Sequence, residues 1–218
     1  RCWGKSGPGE RVKPMSETVI VDYGMANLRS VQKAFAAVGH EAVISSDPSR
    51  VGTAGKVVLP GVGAFRDAIA RIRDAGFAEP ILDHIRAGRP FLGICLGLQM
   101  LFTRSFEDGE YAGLDLFAGD VVRFGTFPGL KVPHMGWNQL RHRRPDCPLL
   151  REVPDGADVY FVHSYFARPV DVELIASATE YPDPFASVIW RDNVFATQFH
   201  PEKSQHIGQM MLRNFSAL

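Results

Sequence analysis

The chain has 218 residues and carries 24 acidic and 24 basic side chains, so its formal net charge is zero. Proteins that bind nucleic acid through phosphate contacts usually carry a basic surplus, and this balance argues against such a partner. Apolar residues make up 45% of the sequence, which is typical of a globular protein. Because no apolar run approaches the ~20 residues of a membrane-spanning helix, we expect no membrane association.

The start of the chain differs in composition from the rest. Residues 1–16 are rich in glycine and basic groups and lack the apolar stretch of a signal peptide. We predict a disordered N-terminal extension or cloning remnant over 1–16 and a single domain over 17–218. The three cysteines, Cys2, Cys95 and Cys147, cannot all pair and form no CxxC pattern. This usage favours a reducing, cytoplasmic location, and we expect no metal site and no cofactor.

Short strand-like runs alternate with amphipathic helical patterns through the first half of the chain. Strands are predicted at 18–22, 41–45, 56–59 and 91–94, and helices at 28–38, 64–73 and 80–86. Asn27 is a candidate cap for the first of these helices. Strand, helix and strand at this spacing predict parallel pairing with right-handed crossovers.

The second half of the chain has strand-like runs separated by turns rather than helices. Strands are predicted at 121–124, 159–163, 174–177, 187–190 and 195–199, and a final helix at 204–215. We interpret 127–148, which contains four prolines and a basic patch at 141–144, as a surface loop. The whole pattern predicts an α/β fold with a mixed, mostly parallel central sheet, flanking helices and an added antiparallel region.

The strongest chemical signal is the sequence Gly93-Ile94-Cys95-Leu96-Gly97, between a predicted buried strand and a helix. Glycines that flank a nucleophile at such a junction are typical of a nucleophile elbow, which exposes the reactive atom at the edge of a sheet. A cysteine at the start of a helix also experiences a field that favours the thiolate. The alternative interpretation is a buried structural cysteine between packing glycines.

A general base for this cysteine must come from the seven histidines of the chain. His200 is the first candidate, because Glu202 follows two residues later, and residues two apart on an extended segment point to the same side. The carboxylate could then accept a ring N–H and fix the tautomer of the imidazole. His134 and His163 are reserve candidates, and a loop histidine is the alternative interpretation of His200.

Acyl chemistry also needs hydrogen-bond donors for a developing oxyanion. The backbone N–H of Leu96, which follows the nucleophile, is one candidate. The glycine-containing segment 60–63, at the end of the third predicted strand, is a second. A dinucleotide-binding loop is disfavoured there, because Arg66 occupies the third glycine position and the segment does not follow the first strand.

Together these segments resemble the class I, triad-type glutamine amidotransferases, which have a flavodoxin-like fold. Within that class the chain is similar to the glutaminase subunits of imidazole glycerol phosphate synthase, over residues 18–215. The segments that carry the resemblance are GICLGLQ (93–99), QFHPEKS (198–204), DYGMANL (22–28), PGVGAF (60–65), KVPHMGWNQL (131–140) and FVHSYF (161–166).

The resemblance implies a function and a set of site residues. Cys95 would attack the side-chain amide of glutamine, His200 would transfer protons, and Glu202 would orient His200. The oxyanion hole would be formed by Val62, Gly63 and Leu96, and glutamine would be held by Gln99, Glu107, Ser164 and Tyr165.

The resemblance further implies a partner. The ammonia would pass to a cyclase subunit with a (β/α)8 barrel, in a heterodimer that makes imidazole glycerol phosphate and aminoimidazole carboxamide ribotide in histidine biosynthesis. Asn27, Trp137 and Lys203 would face this partner. The family usually has glycine where this chain has Ala26, and alanine would strain the loop if a positive φ were needed.

Three alternatives remain open at the level of the sequence. The chain could be the amidotransferase of another synthase, such as anthranilate synthase, although the segment around Trp137 argues against this. It could be a free-standing cysteine hydrolase that acts on γ-glutamyl bonds, which would need no partner for full turnover. A catalytically silent assembly module is the third alternative.

Overall fold

The computed structural model describes residues 17–125 and 128–218, so the extension predicted over 1–16 lies outside the described residues. The described residues form fourteen strands, which we number in chain order. They are β1 (Thr18–Val21), β2 (Ala42–Ser45), β3 (Lys56–Gly61), β4 (Phe91–Cys95), β5 (Phe102–Ser105), β6 (Tyr111–Ala112), β7 (Phe117–Arg123), β8 (His134–Gln139), β9 (Arg141–His142), β10 (Asp158–His163), β11 (Tyr165–Pro169), β12 (Ile175–Glu180), β13 (Pro184–Arg191) and β14 (Val194–Thr197).

Six α-helices are also present among the described residues. They are α1 (Leu28–Ala37), α2 (Pro48–Thr53), α3 (Phe65–Asp74), α4 (Ala78–Arg86), α5 (Leu96–Gln99) and α6 (Gln205–Ser216). Short 3₁₀ turns cover Pro148–Leu150, Val172–Leu174 and Pro201–Lys203. Within 17–125 and 128–218, every helix is too short or too polar to cross a bilayer.

The central sheet has eight strands in the order β2-β1-β3-β4-β14-β13-β12-β9. The first five strands pair in parallel, and the last three add antiparallel pairs. Strands β8 and β10 form a separate antiparallel pair, while β11, β7, β5 and β6 form a small mixed sheet. The predicted fold class, with its mostly parallel sheet and added antiparallel region, is therefore confirmed.

Two apolar layers, one on each face of the sheet, stabilise the parallel half. Helix α1 buries Val31 and Phe35 against one face, and α3 buries Phe65, Ile69 and Ile72 against the other. Each such side chain contributes about 1.5–3 kcal/mol when it is fully removed from water. The strands between these layers are apolar except at their ends, where Thr18, Ser45, Lys56 and Thr197 lie, as expected for parallel strands that are covered on both sides. Their carboxyl ends therefore meet at one edge, where parallel sheets usually bind ligands.

The predicted strands and helices of the first half are present, but the structure differs from the prediction in three places: β3 is longer, and α2 and β5 were not predicted. Strand β3 continues through Pro60 to Gly61. Helix α2 was not predicted, although Asp47 caps it by accepting a hydrogen bond from the backbone N–H of Ser49. Asn27 does occupy the N-cap position of α1, but its side chain makes no capping hydrogen bond with the described residues, so the predicted cap is wrong in that respect.

The prediction of a surface loop over 127–148 is wrong, because this segment contains β8 and β9. The four prolines suggested irregular structure, yet all of them lie outside the two strands. Strand β8 alternates buried His134 with exposed Met135 and Trp137, which is the pattern of a strand with one covered face. In the basic patch, the guanidinium of Arg144 stacks 3.9 Å from the ring centre of Trp190.

Candidate active site

Cys95 lies at a sharp turn between the end of β4 and the start of α5. Its φ of 55° and ψ of −107° fall in a region that L-residues rarely adopt. A Cβ on Gly97 would come within 1.9 Å of the carbonyl oxygen of Leu59, so the turn can pass β3 only if this residue is glycine. Helix α5 has only four residues, and its dipole is accordingly smaller than the sequence suggested.

His200 and Glu202 form a buried pair, with side chains that are 1% and 3% exposed. The Nδ1–H of His200 donates to Oε1 of Glu202 at 2.8 Å. The expected pairing is present, but the expected cause is wrong, because Pro201–Lys203 form a 3₁₀ turn rather than an extended segment. Ser204 fixes this turn, since its hydroxyl donates to the carbonyl of His200 and accepts from the backbone N–H of Tyr160.

The other ring nitrogen of His200, Nε2, is buried and has no hydrogen-bond partner among the described residues. Burial lowers the pKa of His200, but Cys95 and the carboxylate of Glu202 more than offset this effect and raise it to about 10. The imidazole is therefore protonated near neutral pH and can give its proton to a leaving group beside Cys95.

A small cleft opens at the sulfur of Cys95. It is lined by Val62, Gly63, Cys95, Leu96, Gln99, Glu107, His163, Ser164 and Tyr165. The structure thus brings together all the residues for which the sequence suggested an oxyanion or substrate role. His163 also lines the cleft. From the sequence, His163 was only a reserve candidate for the general base.

The candidate oxyanion donors directly follow two neighbouring strands: Val62 and Gly63 come after β3, and Leu96 comes after β4. Gly61, the last residue of β3, is in register with Cys95 of β4. Gly63 has a φ of 96°, and its Cα faces the terminal methyl of Met25. The N–H of Leu96 opens the first turn of α5, where helical backbone donors have no intrahelical acceptor. These backbone groups can converge on an anion that forms at the sulfur.

Glu107 also lines the cleft. Its Oε2 accepts a hydrogen bond from the backbone N–H of Phe65 at 2.7 Å, at the start of α3. Burial raises the pKa of this carboxyl, the hydrogen bond from Phe65 lowers it, and the charges of Asp108 and Asp67 raise it further, with a net upward shift. A ligand ammonium group would relieve this repulsion.

Two glutamine side chains connect the cleft wall to the nucleophile. Nε2 of Gln99 donates to the carbonyl of Tyr165 at 2.8 Å and to Oε1 of Gln198 at 3.1 Å. Both amide hydrogens of Gln99 are used in these bonds, which leaves its oxygen for a ligand. Gln198 in turn donates from Nε2 to the sulfur of Cys95 at 3.7 Å. Gln198 was not among the predicted site residues, although it lies only two residues before His200.

The three candidate interface residues are all exposed. Trp137 is 48% exposed and packs edge-on against Tyr160, and the ammonium of Lys203 lies 6.0 Å from the same tyrosine ring. Trp137 and Lys203 therefore belong to one surface. Asn27 follows β1 at the carboxyl edge of the sheet. The neighbouring Ala26 has no positive φ, so alanine is accommodated there without backbone strain.

The fold and the cleft define a class of protein: the chain belongs to the class-I glutamine amidotransferases, and the family model matches residues 19–217. Among solved structures, one titled glutamine amidotransferase covers 92% of this chain and 99% of its own, with a TM-score of 0.71 and 16% identity. PurLQS from Thermotoga maritima covers 92% and 95%, with a TM-score of 0.70 and 18% identity. These two likenesses concern the fold.

The sequence relatives are more specific. The imidazole glycerol phosphate synthase subunit HisH of Geobacter sulfurreducens is 56% identical over 210 residues, which cover 94% of this chain and 100% of that protein. The subunit HisH of Syntrophotalea carbinolica is 54% identical over 205 residues, which cover 90% and 98%. The resemblance identified from the motifs is thereby confirmed.

Proposed function

We propose that this chain is the glutamine-hydrolysing subunit of an imidazole glycerol phosphate synthase, and that Cys95, His200 and Glu202 are its catalytic residues. One observation carries the proposal. Cys95, at a strained turn, lies close enough to His200 of a buried His200–Glu202 pair to raise the pKa of that imidazole, and the chain is 54% to 56% identical to HisH subunits over nearly their whole length. This arrangement provides a nucleophile, a proton carrier and a group that orients the proton carrier.

The reaction proceeds in two steps. Sγ of Cys95 gives its proton to Nε2 of His200 and attacks the side-chain carbonyl carbon of glutamine, and a tetrahedral oxyanion forms. When the C–N bond breaks, the His200 imidazolium protonates the nitrogen, ammonia leaves and a γ-glutamyl thioester remains. Neutral His200 then takes a proton from water while the water oxygen attacks the thioester, the C–S bond breaks, and glutamate leaves.

We assign roles to the remaining residues of the cleft as part of the same proposal. The backbone N–H groups of Val62, Gly63 and Leu96 stabilise the oxyanion. Glu107 receives the α-ammonium of glutamine, whereas the backbone around Ser164 and Tyr165 and the side-chain oxygen of Gln99 contact the rest of the substrate. These assignments agree with the position of each residue in the cleft.

A partner completes the proposal. The ammonia passes to a cyclase subunit with a (β/α)8 barrel, which docks on the surface that carries Asn27, Trp137 and Lys203. Exposed Met135 extends the apolar part of that surface, since it is 62% exposed on the same strand as Trp137. Met25 lies in the loop that carries Asn27, and a Cβ built on Gly63 would come within 3.0 Å of its terminal methyl, so a partner that moves this loop can act on the segment that holds Val62 and Gly63.

The decisive experiment measures ammonia release from glutamine by the chain alone, with the cyclase, and with the cyclase bound to its own ligand. We expect weak activity alone and strong stimulation in the ligand-bound complex. Full turnover without a partner would instead indicate a free-standing γ-glutamyl hydrolase. A weak ammonia-release rate that does not change when the cyclase is added would indicate the subunit of another synthase.

A Cys95→Ala variant completes this experiment. In complex with the cyclase, it should abolish synthesis from glutamine and leave synthesis from ammonium salts intact. Loss of both activities would show that the proposed division of labour between the subunits is wrong.

A further inference from the structure

Two buried histidines, His134 on β8 and His163 on β10, contact each other directly beside the cleft. Nδ1 of His134 lies 3.1 Å from Nε2 of His163. Nδ1 of His163 lies 2.9 Å from the carbonyl oxygen of Tyr165. At the other end, the side-chain amide nitrogen of Asn138 lies 3.2 Å from Nε2 of His134. All four ring nitrogens are therefore engaged by protein groups.

The chemistry of these partners fixes the position of every proton. A carbonyl oxygen only accepts, so His163 must donate to Tyr165 from Nδ1. The amide nitrogen of Asn138 only donates, so His134 must accept at Nε2. A neutral His163 then accepts at Nε2, and His134 donates from Nδ1. The result is a chain of hydrogen bonds with one direction, in which both rings are neutral and carry their proton on Nδ1.

The surroundings of the pair favour this neutral state. His134 and His163 are 3% and 6% exposed. The ring of Tyr181 stacks on His134 at 3.9 Å between centres, and Phe185 packs against both imidazoles. Burial lowers the pKa of His134 to about 4. Burial, opposed by the hydrogen bond to Tyr165 and helped by the nearby His134 and His200, lowers the pKa of His163 to about 3.

The series of hydrogen bonds that runs through His134 and His163 ends at the backbone carbonyl oxygen of Tyr165. The same oxygen accepts a hydrogen bond from a residue that lines the cleft. The carbonyl of Tyr165 accepts from His163 and from Gln99, and Gln99 donates its second hydrogen to Gln198. Gln198 donates to the sulfur of Cys95. The position of the Tyr165 carbonyl therefore determines where both glutamine amides lie relative to the nucleophile.

We propose that His163 and His134 are positioning residues for glutamine hydrolysis: as a neutral, one-directional pair they hold the Tyr165 carbonyl, and through Gln99 and Gln198 they orient the groups around Cys95. Neither histidine exchanges a proton with the substrate. The inference rests on the proposed function of Cys95. It gives His134 and His163, which the sequence suggested as reserve candidates for the general base, a different role.

The proton positions can be measured directly. In the whole chain labelled with ¹⁵N-histidine, long-range proton–nitrogen correlation spectra distinguish the two tautomers of each ring. We expect two rings with the proton on Nδ1 and a bare Nε2, unchanged between pH 6 and pH 8, and assigned with the His134→Asn and His163→Asn variants. A proton on Nε2 of either ring, or titration of either ring in this range, would overturn the proposal.

The consequence for Cys95 is measured with paired variants. His163→Leu removes the donor to Tyr165, whereas His163→Asn retains a donor at the position of Nδ1. We expect the rate of Cys95 alkylation by chloroacetamide, and kcat for glutamine, to fall about 10-fold or more in the leucine variant. The asparagine variant should recover most of both rates, because only the contact to His134 is lost.

His84 supplies a matched control. It is a fully buried histidine whose Nε2 bonds to the carbonyl of Pro90, and it does not line the cleft. His84→Leu should lower stability without changing the alkylation rate of Cys95. Equal losses in His84→Leu and His163→Leu, or no loss in His163→Leu, would refute the positioning role.

A further variant keeps the test decisive if His163→Leu does not fold. Asn138→Asp replaces the donor with a carboxylate that only accepts, so His134 must donate from Nε2. We expect a proton to appear on Nε2 of His134 and the alkylation of Cys95 to slow, and an Nε2 that stays bare would contradict the proposal. Failure of the wild-type chain to hydrolyse glutamine would contradict the proposed function, whereas the tautomers and alkylation rates decide the present inference independently.

Discussion

The side-chain amide of Gln198 faces the sulfur of Cys95, with Nε2 3.7 Å from Sγ. A hydrogen bond to a charged group contributes about 1.5–3 kcal/mol, so this contact stabilises a thiolate appreciably. We expect Gln198→Leu, which has a similar size but no donor, to slow the alkylation of Cys95 at neutral pH by about 10-fold or more. The rate is measured as a function of pH in a background that carries Cys2→Ser.

Two features of the chain make this measurement specific. Burial raises the pKa of the remaining thiol, Cys147, to about 11, so that residue does not react at neutral pH. Thr197 offers a control, because its hydroxyl donates to the carbonyl of Phe199 rather than to the cleft. Thr197→Val should leave the alkylation rate unchanged, and an equally unchanged rate in Gln198→Leu would remove Gln198 from the environment of the nucleophile.

Glu202→Gln tests the group that orients His200. The amide has the shape of the carboxylate but lacks the charge that helps to raise the pKa of His200, and it can present a donor instead of an acceptor to Nδ1. We expect kcat for glutamine to fall by about 10²-fold or more with little change in KM, since the substrate pocket is untouched. The surface variant Glu110→Gln, which affects only an exposed ion pair with Arg104, should have no such effect. A wild-type kcat in Glu202→Gln would exclude Glu202 from the triad.

Because His134 is buried, we expect the free energy of unfolding to decrease at acidic pH. Burial lowers the pKa of His134 from the ordinary 6.5 to about 4, so below pH 6.5 the unfolded chain binds a proton that the folded chain excludes. The stability that this group confers is complete above pH 6.5 and is lost as the pH falls toward 4. We expect the free energy of unfolding to fall by about 2 kcal/mol between pH 7 and pH 5 on account of His134 alone.

Urea unfolding at a series of pH values measures this effect. His134→Gln removes the titrating group, so its free energy of unfolding should depend less steeply on pH than that of the wild type. The comparison uses slopes, because the variant also loses hydrogen bonds that are independent of pH. Parallel slopes for the two proteins would show that His134 is not held neutral by the fold.

The parallel half of the fold could be predicted because its signals are local. Strands such as β1 and β4 consist almost entirely of consecutive apolar residues. The turn at Cys95 requires its flanking glycines for local steric reasons, independently of distant parts of the sequence. Strand β8 was missed because prolines at 133 and 145 bracket the two strands β8 and β9, and turn residues dominate the composition of that segment. Its alternation between buried His134 and exposed Met135 becomes meaningful only once β10 is known to pair with it.

The residues proposed for the candidate site differ in how far the sequence alone could suggest them. Cys95, His200 and Glu202 belong to two short motifs, and each motif can be recognised in isolation. The contact between Gln198 and Cys95 joins residues 103 positions apart, and that between His134 and His163 joins residues 29 apart. Such contacts depend on the tertiary packing of the sheet, which no local pattern encodes.

The close approach of α5 to β3 predicts a strong effect of Gly97→Ala. The added Cβ would come within 1.9 Å of the backbone oxygen of Leu59, and a backbone atom in a central strand cannot move away easily. We expect a loss of more than about 4 kcal/mol in the free energy of unfolding, which in practice means insoluble protein. Gly52→Ala is the control, because a Cβ there would meet no described atom within 4 Å and α2 would gain helix propensity. A soluble Gly97→Ala variant with wild-type stability would show that the elbow is not tightly packed.

Trp137 predicts the energetics of partner binding. It is 48% exposed and lies beside Met135, which is 62% exposed, and large apolar side chains exposed together on one strand are typical of an interface. Tryptophans that become buried in a protein–protein interface are frequent hot spots. We therefore expect Trp137→Ala to weaken cyclase binding by about 2 kcal/mol or more, roughly 30-fold in Kd. Titration calorimetry with the cyclase measures this change. Val172→Ala, at a residue that is 62% exposed but belongs to the 3₁₀ turn Val172–Leu174, should bind like the wild type. If both variants retain wild-type affinity, the cyclase docks elsewhere, and the surface that carries Trp137 must be reassigned.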